Sequence, residues 1–180
     1  TAVFQQLIEY FREPRVLVLG FGREGRSTYE LIRRSLPDKH IGIADVRDIQ
    51  LSDPNVTLHC GNGYLDAMKD YDIIVKTPGM SFRDVTVPEG IEVTCQTDLF
   101  LRFSKCICVG VTGTKGKTTT STLIYQMVKQ AGKTACLIGN IGIPVLDSLE
   151  NGTPEIAVIE MSSHQLEFTI TLVNISNASK

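Results

Sequence analysis

The fold is decided first by residues 16–25, which read Val16-Leu17-Val18-Leu19-Gly20-Phe21-Gly22-Arg23-Glu24-Gly25. Four apolar residues without polar alternation are typical of a strand buried on both faces of a parallel sheet. The G-x-G-x-x-G pattern that follows allows a tight turn, a close approach of backbone to phosphate, and close packing of the next helix. Because a helix is predicted next, from about Arg26 to Ser35, this stretch predicts the first βαβ unit of a Rossmann-like domain with a parallel sheet.

The same stretch predicts a site for a ligand that carries phosphate. The free N–H groups and the dipole at the start of the following helix favour an anion. We therefore take Gly22 and Gly25 as candidate ligand contacts.

Two charged residues extend this candidate site. Asp45 ends the second apolar strand, at about the spacing expected for an acidic contact to a ribose. Arg47 follows two residues later and could contact a phosphate or a sugar edge. The pattern fits a nicotinamide dinucleotide, and it equally fits the diphosphate of a nucleotide sugar.

A second glycine-rich loop lies between an apolar strand at 106–111 and a helix predicted from 117 to 131. The strict P-loop pattern is G-x-x-x-x-G-K-[ST], and its first position falls on Val111, so the strict pattern fails. The remaining glycines still allow backbone N–H groups to surround phosphate oxygens, with the helix dipole behind them. The predicted ATP-binding residues are Gly113, Thr114, Lys115, Gly116, Lys117, Thr118 and Thr119.

Three side chains carry the chemistry expected at this second loop. Lys117 is expected to neutralise the β- and γ-phosphates, and the Thr118 hydroxyl is placed to bind Mg²⁺. Glu160 ends the strand at 156–159, and the carboxyl ends of parallel strands line the ligand crevice. Because hard cations prefer oxygen ligands, Glu160 is a second candidate Mg²⁺ ligand. Lys117 and Glu160 are the candidate catalytic residues.

Short apolar runs alternate with helix-period segments along the whole chain, which is typical of α/β proteins with parallel sheets. One series of such units ends near residues 102–105, and a second begins at Cys106. We therefore predict a Rossmann-like domain at 1–103 and a P-loop-type α/β domain at 104–180. The second domain is expected to be incomplete, because its pattern supplies only about three strands.

The composition excludes several classes of function. The 180 residues carry a formal net charge of -2 and no basic run, which argues against a nucleic-acid-binding protein. The apolar runs are too short to cross a bilayer, and residues 1–13 lack a signal-peptide pattern. We therefore expect a cytoplasmic protein with no membrane insertion. The five cysteines form neither a disulfide framework nor a complete set of metal ligands.

The ordered motifs resemble the Mur ligases of bacterial peptidoglycan synthesis. Gly113-Thr114-Lys115-Gly116-Lys117-Thr118-Thr119 is similar to the ATP loop of the family, and Thr77-Pro78-Gly79-Met80 lies between the two glycine-rich loops. Residues 139–142 resemble the family's G-N-I-G block, and residues 160–166 resemble its E-x-S-S-x-Q-L block.

The resemblance implies an ATP- and Mg²⁺-dependent amide ligation. The carboxylate of a UDP-linked muramoyl precursor would accept the γ-phosphoryl group, and the amine of D-glutamate would then displace phosphate. The first domain would hold the UDP group, with Asp45 and Arg47 near the uridine and Gly79 near the uracil. The residues near its diphosphate would be Gly22, Arg23, Glu24 and Gly25. Asn140 would face the sugar or the diphosphate.

The chain also departs from the family pattern. Lys115 replaces the usual asparagine, and His164 stands where an aromatic residue is typical. The 180 residues contain no downstream Asp-His block, carbamylated lysine or carboxy-terminal amino-acid-binding domain, so we expect the chain alone to be inactive. Three alternatives stay open: a Mur ligase that adds another amino acid, an NAD-dependent oxidoreductase, and a non-catalytic nucleotide-binding fragment.

Overall fold

The first sheet has five parallel strands, in the spatial order β3-β2-β1-β4-β5. The computed structural model describes residues 2–78, 80, 82, 85–139, 145–149 and 152–161. The strands of this sheet are β1 (Val16–Leu19), β2 (Ile41–Asp45), β3 (Val56–Cys60), β4 (Ile73–Lys76) and β5 (Glu92–Thr94). The order reverses at β1, which makes the carboxyl end of β1 the switch point where ligands of such sheets bind.

Three α-helices and one 3₁₀ helix accompany this sheet. The α-helices are α1 (Ala2–Arg12), α2 (Arg23–Ser35) and α3 (Gln96–Phe103), and the 3₁₀ helix spans Tyr64–Asp70. Helix α1 buries Val3, Leu7, Ile8 and Phe11, because the 3.6-residue period places these four on one face. Strands β1, β2 and β4 are buried along their whole length, as expected for a sheet covered on both faces.

The second sheet has three parallel strands, in the order β6-β8-β7. Its strands are β6 (Ile107–Val111), β7 (Ala135–Ile138) and β8 (Ile156–Glu160). Helix α4 (Lys117–Gln130) connects β6 to β7, and a 3₁₀ helix at Val145–Leu149 precedes β8. The predicted α/β class with parallel sheets is therefore confirmed.

One hydrophobic core connects the two sheets. It contains residues of α1, β1, β2 and α3 together with Ile138, Leu146, Leu149 and Ile159 from the second sheet and its 3₁₀ helix. The two sheets are consequently packed against each other through buried apolar surface. The division into domains at 103/104 remains a prediction.

Helix α2 begins three residues earlier than the glycine pattern suggested. We predicted a helix from Arg26, but it begins at Arg23 with Gly22 as its N-cap residue. Gly25 therefore lies in the first helical turn. The helices Tyr64–Asp70 and Val145–Leu149 are both of the 3₁₀ type, which is tighter than the α-helix. Within the described residues, no helix has both the length and the apolar character needed to cross a membrane.

Candidate functional site

The register of the first sheet brings three loop starts together at one edge. Leu19 is aligned with Ala44 on β2 and with Lys76 on β4. The backbone N–H of Gly20 donates to the carbonyl of Ala44 at 2.8 Å, and that of Thr77 donates to Leu19 at 3.0 Å. The residues that follow these three strands consequently lie side by side at the switch point.

The three glycines of the first loop meet three different surroundings. A Cβ atom on Gly20 would lie 2.3 Å from the Thr77 hydroxyl, and one on Gly25 would lie 2.0 Å from the carbonyl oxygen of Gly20. A Cβ on Gly22 would have no atom within 4 Å. Gly20 and Gly25 are thus required by packing, whereas Gly22 faces open space into which a ligand can come.

A cleft of about 460 Å³ opens at this edge of the sheet. It is within the size range of small-molecule sites, and its lining combines loop backbone, charged side chains and apolar side chains. The lining includes Gly20, Gly22, Asp45, Val46, Arg47, Tyr64, Leu65, Thr77, Met80, Phe82 and Val85. The cleft brings Gly22, Asp45 and Arg47 together. The sequence patterns did not indicate the apolar wall, because its side chains come from segments that are far apart in the sequence.

Both carboxylate oxygens of Asp45 accept hydrogen bonds, one from Phe21 and Arg47 and the other from Arg47 alone. Oδ2 accepts a hydrogen bond from the Phe21 N–H at 2.7 Å and contacts Arg47 Nη2 at 2.8 Å. Oδ1 accepts from the backbone N–H and from Nε of Arg47, both at 2.9 Å. The Arg47 side chain and these backbone N–H groups hold the pKa of Asp45 well below its usual range. Asp45 therefore fixes the glycine-rich loop and orients Arg47, whose side chain is 63% exposed.

Glu24 lies in the first turn of α2 among poorly solvated groups. Burial raises the pKa of its carboxyl group from 4.5 to about 7, although Lys76 and Arg23 oppose the shift. Lys76 is itself 2% exposed, and its ammonium lies 5.6 Å from the centre of the Phe82 ring. The first turn of α2 therefore holds a carboxyl group whose pKa is raised to about 7.

The second glycine-rich loop connects the carboxyl end of β6 to the start of α4. Gly113 and Gly116 have φ angles of +150° and +77°, which residues with a Cβ atom rarely adopt. Gly116 is the N-cap residue of α4, so the N–H groups of the first helical turn point towards the loop. The Lys117 ammonium donates to the Gly113 carbonyl at 2.8 Å. The backbone thus has the form of an anion-binding loop, with an ammonium group above it.

Thr118 and Glu160 meet at the carboxyl edge of the second sheet. Val111 of β6 is aligned with Glu160 of β8, and the loop returns Thr118 towards the same point. The Thr118 hydroxyl lies 3.1 Å and 3.3 Å from the two carboxylate oxygens of Glu160, which is 3% exposed. The two side chains predicted to bind Mg²⁺ are therefore in direct contact.

Gly139, which directly follows β7, packs closely against Glu160. A Cβ atom on this residue would lie 2.3 Å from the Glu160 carbonyl oxygen. Only glycine leaves room for the chain to pass so close to the end of β8. The residue that follows β7 therefore lies next to Glu160.

The thiols of Cys106 and Cys108 lie 3.8 Å apart on one side of β6. Hydrogen bonding from Cys108 lowers the pKa of Cys106 to about 6, while the same contact and burial raise the pKa of Cys108. Within the described part of the chain, no group of three or more histidine, cysteine, aspartate or glutamate side chains could hold a metal ion. The thiol pair consequently offers only two ligands.

The chain is similar to known proteins over most of its length. Residues 111–178 match the family described as the Mur ligase middle domain. The chain is also similar to the UDP-N-acetylmuramoylalanine–D-glutamate ligase of Haemophilus ducreyi, with 34% identity over 165 residues, which cover 87% of the chain and 37% of the relative. The chain is therefore similar to Mur ligases over most of its length.

Relatives with the same name in other bacteria give the same result. The protein of Acetivibrio thermocellus is 38% identical over 132 residues, covering 71% of the chain and 28% of the relative. That of Clostridium acetobutylicum is 30% identical over 182 residues, covering 91% of the chain and 38% of the relative. The chain spans less than two fifths of the length of the curated relatives it matches.

Several positions implied by the Mur ligase resemblance lie outside the described residues. They are Gly79, Asn140 and the segment from Ser162 to Glu167. Arg23, Thr114, Lys115 and Thr119 are described and are exposed. The structure thus groups the predicted residues at two sheet edges, one for each glycine-rich loop.

Proposed function

We propose that this chain is the part of an ATP-dependent Mur ligase that binds two nucleotides. The complete enzyme adds D-glutamate to UDP-N-acetylmuramoyl-L-alanine. The observation that carries the proposal is the contact between Thr118 and Glu160, 42 residues apart in the sequence. A phosphate loop followed by a hydroxyl beside a buried carboxylate is the arrangement that an Mg²⁺–ATP site requires.

The residues at the second sheet fit Mg²⁺ and ATP. Thr118 and Glu160 offer oxygen ligands, and Mg²⁺ usually takes only one or two protein ligands in addition to water and phosphate oxygens. When bound, the ion neutralises charge on the transferring phosphoryl group. Lys117 adds a positive charge, and it exchanges its contact with the Gly113 carbonyl for the β- and γ-phosphates.

The cleft at the first sheet binds the UDP group of the precursor. Gly22 lets the diphosphate approach the first turn of α2, because a Cβ atom there would meet no neighbour within 4 Å and the positive end of the helix dipole favours an anion. Asp45 holds Arg47 at the cleft, near the uridine. By the family resemblance, Gly79 would contact the uracil and Asn140 the sugar or the diphosphate, and both lie outside the described residues.

The chemistry of the complete enzyme follows from these two sites. The γ-phosphoryl group of ATP passes to the carboxylate of the precursor, and ADP leaves. The amine of D-glutamate then attacks the acyl phosphate and displaces inorganic phosphate. The described residues contribute positioning and charge neutralisation, which are the main protein contributions in phosphoryl transfer. The enzyme works in the cytoplasm, where both nucleotides are available.

Two other functions make different predictions about the ligands. An NAD-dependent oxidoreductase would use the first cleft for a nicotinamide dinucleotide and would leave the Thr118–Glu160 contact without a role. Calorimetric titration with NADH and with the UDP-linked precursor separates the two: the ligase binds the precursor and the oxidoreductase binds NADH. A sister Mur ligase would bind the precursor but use another amino acid.

Phosphate release by the full-length protein tests the proposed function. Each UDP-linked precursor is paired with each candidate amino acid in the presence of ATP and Mg²⁺. Release only with the L-alanyl precursor and D-glutamate supports the proposal. Release with another pair would assign the protein to a sister ligase, and no release with any pair would contradict a ligase function.

A further inference from the structure

Gln96 lies at the contact between the two sheets and makes an unusual number of buried hydrogen bonds. It is 1% exposed at the start of α3. Its side-chain amide Nε2 lies 3.0 Å from the Glu24 carbonyl, 3.1 Å from the Ser27 hydroxyl and 2.9 Å from the Thr28 hydroxyl. Its Oε1 accepts from the backbone N–H of Leu146 at 3.4 Å. One side chain therefore joins α2 to the 3₁₀ helix at 145–149.

A second polar contact runs beside the first. The Ser27 hydroxyl donates to Asp147 Oδ1 at 3.1 Å, and the same carboxylate lies 3.8 Å from Arg34. Asp147 follows Leu146 directly, so α2 holds this 3₁₀ helix at two neighbouring residues. The helix is also held by apolar packing, because Val145, Leu146 and Leu149 are almost fully buried. The polar contacts thus select one placement on a surface that apolar packing alone leaves free to shift.

The two ends of this connection are the two proposed nucleotide sites. At one end, Glu24 lies in the first turn of α2, directly after the loop that faces the cleft. At the other end, Leu146 lies in the 3₁₀ helix that precedes β8 in the chain, and β8 ends at Glu160, against which Gly139 packs. A shift of the 145–149 helix relative to α2 would change the distance between the precursor and the metal ligands.

We infer that Gln96 is a positioning residue that sets the separation and orientation of the two nucleotide sites, an inference that rests on the proposed function. Its amide is suited to this role because it donates to α2 and accepts from the 145–149 helix at the same time. Because a transferring phosphoryl group must meet the acceptor carboxylate in line, small changes in this separation affect the reaction strongly. Gln96 acts through Glu24 and Leu146 and touches neither nucleotide.

The test measures how the two ligands affect each other's binding in the full-length protein. The dissociation constant of a non-hydrolysable ATP analogue is measured with and without the UDP-linked precursor, in the wild type and in Gln96→Leu. The precursor is expected to change the affinity for the analogue by about fivefold or more in the wild type, which is the lower end of typical coupling between sites. In Gln96→Leu the factor is expected to fall below about twofold, with each separate affinity within about threefold of wild type. Gln50→Leu, at an exposed glutamine, is the matched control and keeps the wild-type factor.

The ratio of the two dissociation constants of the ATP analogue is a property of the folded protein. A substitution that only reduces the amount of folded protein therefore leaves this ratio unchanged. An unchanged factor in Gln96→Leu, or no coupling in the wild type, would overturn the inference. Failure of the wild type to bind the precursor would instead contradict the proposed function. In that event, amide exchange of the ligand-free proteins still decides the inference: faster exchange at Leu146 and in the first turn of α2 in Gln96→Leu supports it, and unchanged exchange overturns it.

Discussion

The hydroxyl of Thr118 lies within 3.1–3.3 Å of both carboxylate oxygens of Glu160, across the carboxyl ends of two adjacent parallel strands. The contact needs the return of the loop after β6 and the alignment of Val111 with Glu160. No single sequence motif predicts either the return of the loop or the alignment of the two strands. The contact between Thr118 and Glu160 makes this end of the second glycine-rich loop a candidate metal site.

Replacing Thr118 by valine should remove the hydroxyl and keep the shape of the side chain. We expect phosphate release by the full-length protein to fall about 100-fold, the size typical for loss of one electrostatic contact in a reacting site. Thr118→Ser retains the hydroxyl and should keep most of the activity. Equal losses in the two variants would show that the hydroxyl is not the functional group.

Substitutions at two glycines of the first loop should separate folding from binding. Gly25→Ala places a Cβ atom against the Gly20 carbonyl and should destabilise the protein by about 1–3 kcal/mol. Gly22→Ala meets no atom within 4 Å, so its stability should change by less than about 0.5 kcal/mol. The affinity of Gly22→Ala for the UDP-linked precursor should nevertheless fall about tenfold, because the methyl group enters the ligand space. Thermal unfolding and calorimetric titration measure the two effects, and unaltered affinity would place the diphosphate elsewhere.

Much of the fold could be predicted from the sequence because its strands are short, apolar and bounded by turns. Strand β1 and strand β8 are buried runs, and the glycine patterns fix which strand ends carry a loop. The predicted start of α2 was wrong by about one helical turn, because Gly25 in this motif is typical of a turn. In the structure Gly25 lies in the helix and packs against Gly20.

The apolar wall of the cleft and the contacts of Gln96 could not be predicted in this way. Tyr64 reaches the cleft from the start of a 3₁₀ helix and Phe82 from a loop, and the positions of both depend on the twist and order of the whole sheet. Gln96 is a polar residue in an amphipathic helix, and the pattern alone indicates a solvent-facing position. Its partners come from α2 and from the 3₁₀ helix at 145–149, so only the packing of the two sheets identifies them.

Replacing Asp45 by asparagine should loosen the first loop. The amide would offer N–H donors to Phe21 or Arg47, which are themselves donors, so we expect a loss of about 1–3 kcal/mol of stability at pH 7. Because the pKa of Asp45 is lowered, the stability it contributes is present above pH 4 or so and is lost as the pH falls through its folded-state pKa. The difference between the two proteins in chemical unfolding should therefore shrink in acid. Asp48→Asn, at an exposed carboxylate, is the control and should behave like the wild type.

Glu24 should make the stability depend on pH in the opposite direction. Its pKa rises from 4.5 to about 7 on folding, so the folded state binds the proton more tightly. The wild type should consequently lose stability as the pH rises from 4.5 to 7, by no more than about 3 kcal/mol. Glu24→Gln should lack this decrease and be the more stable protein at pH 8, whereas Glu30→Gln on the exposed face of α2 should not. Parallel pH profiles for the wild type and Glu24→Gln would contradict the burial of a titrating carboxyl group.

Transfer of isotopic oxygen tests the central proposal most directly. The full-length protein is given ATP, Mg²⁺, D-glutamate and the UDP-linked L-alanyl precursor with ¹⁸O in its terminal carboxylate. If that carboxylate is phosphorylated and then attacked by the amine, one labelled oxygen leaves with each phosphate. The account predicts inorganic phosphate that carries one ¹⁸O, formed only when D-glutamate is present. Unlabelled phosphate formed together with the amide product would contradict an acyl-phosphate ligase.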